Sequence, residues 1–83
     1  MAGTEEIETR IRGYIVESFL TETQAQTFRN DEDLLKVLDS LQILRMVVHL
    51  ESSFGIKIAD GEVTAENLGS VRNLTAFVAR KGP

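Results

Sequence analysis

Few residues in this sequence are equipped for chemistry. Ser40 stands at the head of an amphipathic stretch, in Asp39-Ser40-Leu41, where a hydroxyl ordinarily serves as a helix cap. His49 is the only imidazole, and on a polar helix face it reads as a solvated side chain before it reads as a pH-sensitive contact. Asp31, Glu32 and Asp33 form an acidic run able to hold a divalent cation weakly, but without the regular ligand spacing of a calcium loop. The expectation there is a solvated charge run and no metal site. Asp60 and Glu62 have no acid–base partner placed by any motif. With no Cys there is no thiolate, no disulfide and no Cys-ligated zinc, and no Gly-rich phosphate loop is present. A free-standing enzyme is not expected from this set.

The size of the chain points the same way. Its 83 residues make one small domain, 1–83, able to enclose one core but no cavity backed by a second layer. Without staples such a core must pack well, which favours a helical bundle. Nine Lys and Arg stand against thirteen Asp and Glu, a net charge of −4. Residues 1–33 hold eight of the acids and three of the bases, and residues 34–83 are nearly balanced. No basic stripe exists to release counterions from a phosphate backbone, so no nucleic-acid partner is expected. No apolar run approaches the roughly 18 residues of a membrane span. The start, Met1-Ala2-Gly3-Thr4-Glu5-Glu6, is acidic where a leader would be basic. A discrete cytoplasmic protein, monomeric and without a membrane partner, is the expectation.

The elements that must position Ser40 follow from periodicity. Ile7, Ile11, Ile15 and Phe19 recur every fourth residue with Tyr14 beside them, which predicts a first helix, capped by Thr4 and with Glu5, Glu6 and Glu8 at its positive end. From Thr21 to Leu38 the pattern is polar and aperiodic, a long loop that Phe28, Leu34 and Leu35 should pin to the core. Asp39 to Phe54 is the second helix, with Asp39 and Gln42 at capping-box spacing and Gly55 as its stop. Ile56 and Ile58 suit an extended connector, since no second strand exists to pair with them. Thr64 to Leu68 makes about one helical turn ended by Gly69. Ser70 then caps a last helix carrying Val71, Leu74, Phe77 and Val78, with Arg80 and Lys81 at its negative end. Three long helices and one short one, with a long loop between the first and second, make an all-α bundle.

The second helix carries one apolar stripe more than a small core needs. On a wheel of about 100° per residue, Ile43, Met46, Val47, Leu50 and Phe54 share one arc, the width of a core face. Gln42, Arg45, His49, Ser52 and Ser53 gather on a polar side. Leu41, Leu44 and Val48 form a second stripe, set apart by Glu51. Coverage by the long loop is the first expectation for it, and an open surface waiting for a partner is the second.

In this context the sequence resembles the acyl carrier protein family, including its peptidyl and aminoacyl carriers. The resemblance runs from Leu38-Asp39-Ser40-Leu41-Gln42-Ile43-Leu44 through Val47-Val48-His49-Leu50-Glu51-Ser52-Ser53-Phe54-Gly55-Ile56-Lys57-Ile58. It continues over Thr64-Ala65-Glu66-Asn67-Leu68 to Ser70-Val71-Arg72-Asn73-Leu74, nearly the whole chain in order and spacing. It implies a four-helix bundle whose Ser40, with Asp39 as motif neighbour, receives a 4′-phosphopantetheine arm from coenzyme A through a phosphopantetheinyl transferase. The arm's thiol would carry acyl or aminoacyl groups as thioesters. Leu41, Leu44, Arg45 and Val48 would face the loading and condensing enzymes, and the carrier itself would catalyse nothing. Val37 and Ala59 stand where the family commonly has Gly and Pro. The second helix also lacks the acidic face of many fatty-acid carriers, which favours a polyketide, nonribosomal-peptide or similar dedicated pathway over the housekeeping fatty-acid role. An unmodified helical interaction domain, with Ser40 as a cap and the second stripe binding one protein, is the rival from another class.

Overall fold

The computed structural model describes residues 3–82. Three long helices carry the fold: α1 (Thr4–Phe19), α4 (Ser40–Phe54) and α6 (Val71–Lys81). Between them lie three short ones, α2 (Glu22–Thr27), α3 (Leu34–Val37) and α5 (Ala65–Leu68), and a 3-10 turn at Asp60–Glu62. Among the described residues there is no strand, and Ile56 and Ile58 are laid on the core from an extended connector as their spacing implies. The backbone N–H of Ile58 donates to Glu51 Oε2 at 2.9 Å, which fastens that connector back onto α4.

The core is built from the predicted faces. Ile7, Ile11 and Ile15 of α1 meet Val71, Leu74, Phe77 and Val78 of α6, and α1 packs chiefly along α6. Met46, Val47 and Leu50 of α4 close the third side, with Ile43 and Phe54 partly buried against them. Two local expectations fail at the start of the chain. Gly3, in extended conformation, occupies the cap position of α1, and Thr4 is already its first helical residue, so no side chain caps this end. The segment 21–38 is not a plain loop either, because it winds into α2 and α3. Thr21 and Gln24 form a full capping box at α2, and the Asp33 carboxylate caps α3. Such one-turn elements are too short to leave a hydrophobic period in the sequence, and their caps are the legible signal.

The long connection is nonetheless pinned. Phe28 and Leu34 are buried, whereas Leu35, expected with them, is 47% exposed. Arg12 reaches from α1 to donate to the Phe28 carbonyl at 2.6 Å and to Asn30 Oδ1 at 2.8 Å, its guanidinium over the Phe28 ring. On the far side the Leu34 N–H donates to the Gly69 carbonyl at 2.8 Å, and the Arg72 N–H to the Asn30 carbonyl at 2.9 Å.

Gly69 is required at that junction for lack of space. A Cβ there would be driven into the carbonyl oxygen of Ala65, which is backbone and cannot swing aside. Gly69→Ala should therefore cost on the order of 1–3 kcal/mol, as overpacking does. It should also loosen the loop bond to Leu34. Thermal melting measures the first effect and amide exchange at Leu34 the second. A variant that melts like the parent would refute the close approach.

Candidate functional site

The head of α4 is set by its cap. Asp39 is extended, its Oδ1 accepting the Gln42 N–H at 2.8 Å while Gln42 Oε1 accepts the Asp39 N–H at 3.0 Å. The capping box expected from the sequence is thus complete, and it assigns the cap to the residue before Ser40. Ser40 is the first helical residue and exposed, so its hydroxyl is not consumed in holding the helix. Leu38 and Ile43 flank the cap at the spacing of a hydrophobic staple, which fixes the angle at which the chain enters. The other end of α4 stops at Gly55, whose φ of 65° is the left-handed conformation that glycine adopts without cost.

Beside Ser40 the surface opens into a groove of about 450 Å³. Leu38, Val47 and Ile58 form its buried floor with Ile43, while Leu35, Leu44 and Val63 stand exposed at its rim with Asp60. Leu35, Asp60 and Val63 were not read as site residues in the sequence. Their only signal was negative, an apolar or acidic residue lying on no periodic face. The positive end of a helix macrodipole, a free hydroxyl and an apolar trough therefore meet at one place. An anion bonded to Ser40 would sit favourably there, opposed in part by the neighbouring Asp39 charge.

The second stripe is open. Leu41, Leu44 and Val48 are 58%, 58% and 57% exposed, which overturns the expectation that the long loop covers them. That segment is instead drawn against α1, α5 and α6 by Arg12, Asn30, Leu34 and Phe28. Arg45 is exposed next to the stripe. The exposed positions of α4 are Ser40, Leu41, Leu44, Arg45, Val48 and Ser52.

His49 is not the solvated side chain its polar neighbours suggested. Its ring stacks flat on Tyr14 of α1, with centroids 3.6 Å apart and planes 3° from parallel, and it shares a 3.0 Å hydrogen bond with Ser53 Oγ. Arg10 lies over Phe54 and donates to the Ser53 carbonyl, completing a polar seam between α1 and α4. Burial, aided by the Arg10 charge, moves the His49 pKa below its ordinary value. The folded state thus binds this proton less readily than the unfolded chain. The stability His49 contributes is present above about pH 6.5, its unfolded pKa, and is lost as pH falls below that. Melting temperature should decline gently from pH 7 to pH 5, gently because the ring is only partly buried. The slope should flatten in His49→Gln, and equal slopes in the two proteins would refute this account.

The acidic run is used locally. Asp31 pairs with Arg29 at 3.2 Å, which lowers its pKa, Glu32 accepts the Arg29 N–H, and Asp33 is the α3 cap. Glu62 accepts the Ala59 N–H and pairs with Lys81 at 3.0 Å, and both contacts lower its pKa. Among the described residues no cluster of His, Cys, Asp or Glu is arranged to hold a metal ion, and no helix is long and apolar enough to cross a membrane.

No family model matches the chain. It is, however, similar to a protein named Acyl carrier protein 2 from Pseudomonas aeruginosa. The two are 31% identical in an 83-residue alignment that covers 95% of this chain and 98% of that protein. The likeness runs essentially from end to end of both chains, and the all-α bundle agrees with it. The chain belongs to the acyl carrier protein family.

Proposed function

We propose that this protein is a carrier, pantetheinylated on Ser40, that holds acyl or aminoacyl groups for biosynthetic enzymes without catalysing a reaction itself. It would work as a cytoplasmic monomer. The observation that carries the reading is the division of labour at the head of α4, where Asp39 makes the cap and Ser40 keeps a solvent-exposed hydroxyl. A serine serving only as a cap would have its oxygen turned to the amides of the first turn.

The residues present suit a 4′-phosphopantetheine arm. On modification Ser40 Oγ would lose its proton and bond the pantetheine-side phosphorus of coenzyme A as the pyrophosphate P–O bond breaks and adenosine 3′,5′-bisphosphate leaves. The single negative charge of the resulting phosphodiester would lie at the positive end of a fifteen-residue helix. The arm supplies a terminal thiol, a group this Cys-free chain lacks, on which cargo is held as a thioester. The chain's own residues do the rest. Asp39 and Gln42 hold the helix head in place, the groove from Leu35 to Val63 offers apolar shelter next to the attachment point, and Leu41, Leu44 and Val48 give enzymes an apolar surface that starts beside Ser40 and extends about two turns along α4. A phosphopantetheinyl transferase and the loading and condensing enzymes would meet it there.

The pathway is read from charge. Enzymes that dock basic patches onto carriers need acids on this helix, and no exposed position of α4 is acidic. That supports a polyketide, nonribosomal-peptide or similar dedicated system over the housekeeping fatty-acid one. Incubation with coenzyme A and a promiscuous phosphopantetheinyl transferase, followed by intact mass, tests the central reading. Gain of one arm supports it, and a folded protein that gains none leaves the unmodified interaction domain in its place.

A further inference from the structure

The solvent face of α4 carries one charge, and it is positive. Arg45 is the only ionised residue among the exposed positions of the helix. The helix's single acid, Glu51, is half-buried and occupied with the Ile58 amide, while Asp39 ahead of the helix is engaged in the cap. At about 100° per residue, Arg45 lies some 40° from Leu41 and 60° from Val48, along one edge of the open apolar row. Tyr14 donates to its backbone carbonyl at 3.4 Å, which anchors the main chain and leaves the guanidinium alone. The ion pairs among the described residues, Arg29 with Asp31 and Lys81 with Glu62, do not involve it. This local positive charge opposes the net −4 of the chain, which arises from −5 in residues 1–33 and +1 in residues 34–83.

We propose that Arg45 selects the partner: the enzyme that covers Leu41, Leu44 and Val48 presents an apolar patch bordered by a carboxylate that receives the Arg45 guanidinium. This rests on the reading of the row as the docking face. A guanidinium offers a planar fork of donors that matches a carboxylate in two bonds. A Lys or Arg at the same border of the partner would place like charges together at the rim of an apolar contact, where the cost falls on recognition rather than on folding. Arg45 thus excludes partners with a basic border as well as attracting acidic ones.

A charge-swap cycle tests this. The chain has no thiol, so Ala76→Cys at an exposed α6 position accepts a single fluorophore. Its anisotropy reports binding to a purified ketosynthase with Lys and Arg around its active-site mouth, and to the same enzyme with those residues changed to Glu. Arg45→Glu should weaken binding to the Glu-bordered enzyme about three- to tenfold and strengthen binding to the basic one by a similar factor. Arg45→Gln should fall between. Both differences should shrink near 0.5 M salt, where screening acts within about 5 Å. Equal effects on the two enzymes, no effect on either, or no binding of the parent chain to either would overturn the proposal. Because the label bypasses Ser40, a failure here is distinct from a failure of the pantetheinylation reading, which intact mass decides separately.

Discussion

Ser40→Ala protein, incubated with coenzyme A and a phosphopantetheinyl transferase, should gain no mass, and it should melt where the parent melts. Both halves of this result follow from the geometry at the head of α4. The hydroxyl is the only atom removed, it is exposed, and the cap that would suffer from a missing oxygen is made by Asp39. Exposed substitutions away from such features change stability by about 0.5 kcal/mol or less. Alanine is, moreover, the better helix former at a first-turn position. The loss of modification should be all or none if Ser40 is the attachment point.

Asp39→Ala gives the complementary result. It removes the acceptor for the Gln42 N–H and half of the capping box, at a cost of about 0.5–2 kcal/mol, or roughly 2–16 °C in melting temperature for a domain of this size. It also removes the negative charge beside Ser40, so the site's preference for an anion should rise while its geometry loosens. If Ser40→Ala lowered the melting temperature and Asp39→Ala left it unchanged, the cap would belong to the serine. The exposed hydroxyl on which the carrier reading depends would then be lost.

How legible this was in the sequence varied with the length over which a signal repeats. The faces of α1, α4 and α6 recur over eleven to sixteen residues, long enough for a period to stand out, and Ile11, Met46, Leu50 and Leu74 are buried as read. The stops at Gly55 and Gly69 and the caps at Asp39 and Ser70 were legible because each rests on a single residue type with one backbone role. Thr4 misled because an adjacent glycine could hold the same extended conformation. The sense in which a side chain turns on a one-turn helix was not legible: Leu34 is fully buried and Leu35 next to it stands at the groove rim. His49 misled for a tertiary reason. Its ring faces not water but Tyr14 of α1, although Arg45 and Ser52 on the same polar side are exposed, and nothing within the 41–54 pattern encodes what stands opposite. The fate of the second stripe was open for the same reason, since it depended on where residues 21–38 were fastened.

That second stripe gives the largest contrast between folding and binding. Leu50→Ala should destabilise the protein by about 2–5 kcal/mol, because the side chain is fully buried between α4 and the rest of the core and its removal leaves a cavity that the helices fill only in part. At this chain length that is a fall of 10 °C or more in melting temperature. Val48→Ala, two positions away, should have almost no effect or a small one of the opposite sign. Its side chain is 57% exposed, so little burial is lost, while replacing a β-branched residue in a helix interior with Ala gains about half a kcal/mol. The same substitution should slow transfer of cargo to a partner enzyme about tenfold if Val48 lies in the centre of the contact, as a buried interface residue does on truncation. Stability and transfer then move independently, which no core residue allows. Should Val48→Ala melt as low as Leu50→Ala, the stripe belongs to the core, and the docking face must be sought elsewhere on the bundle.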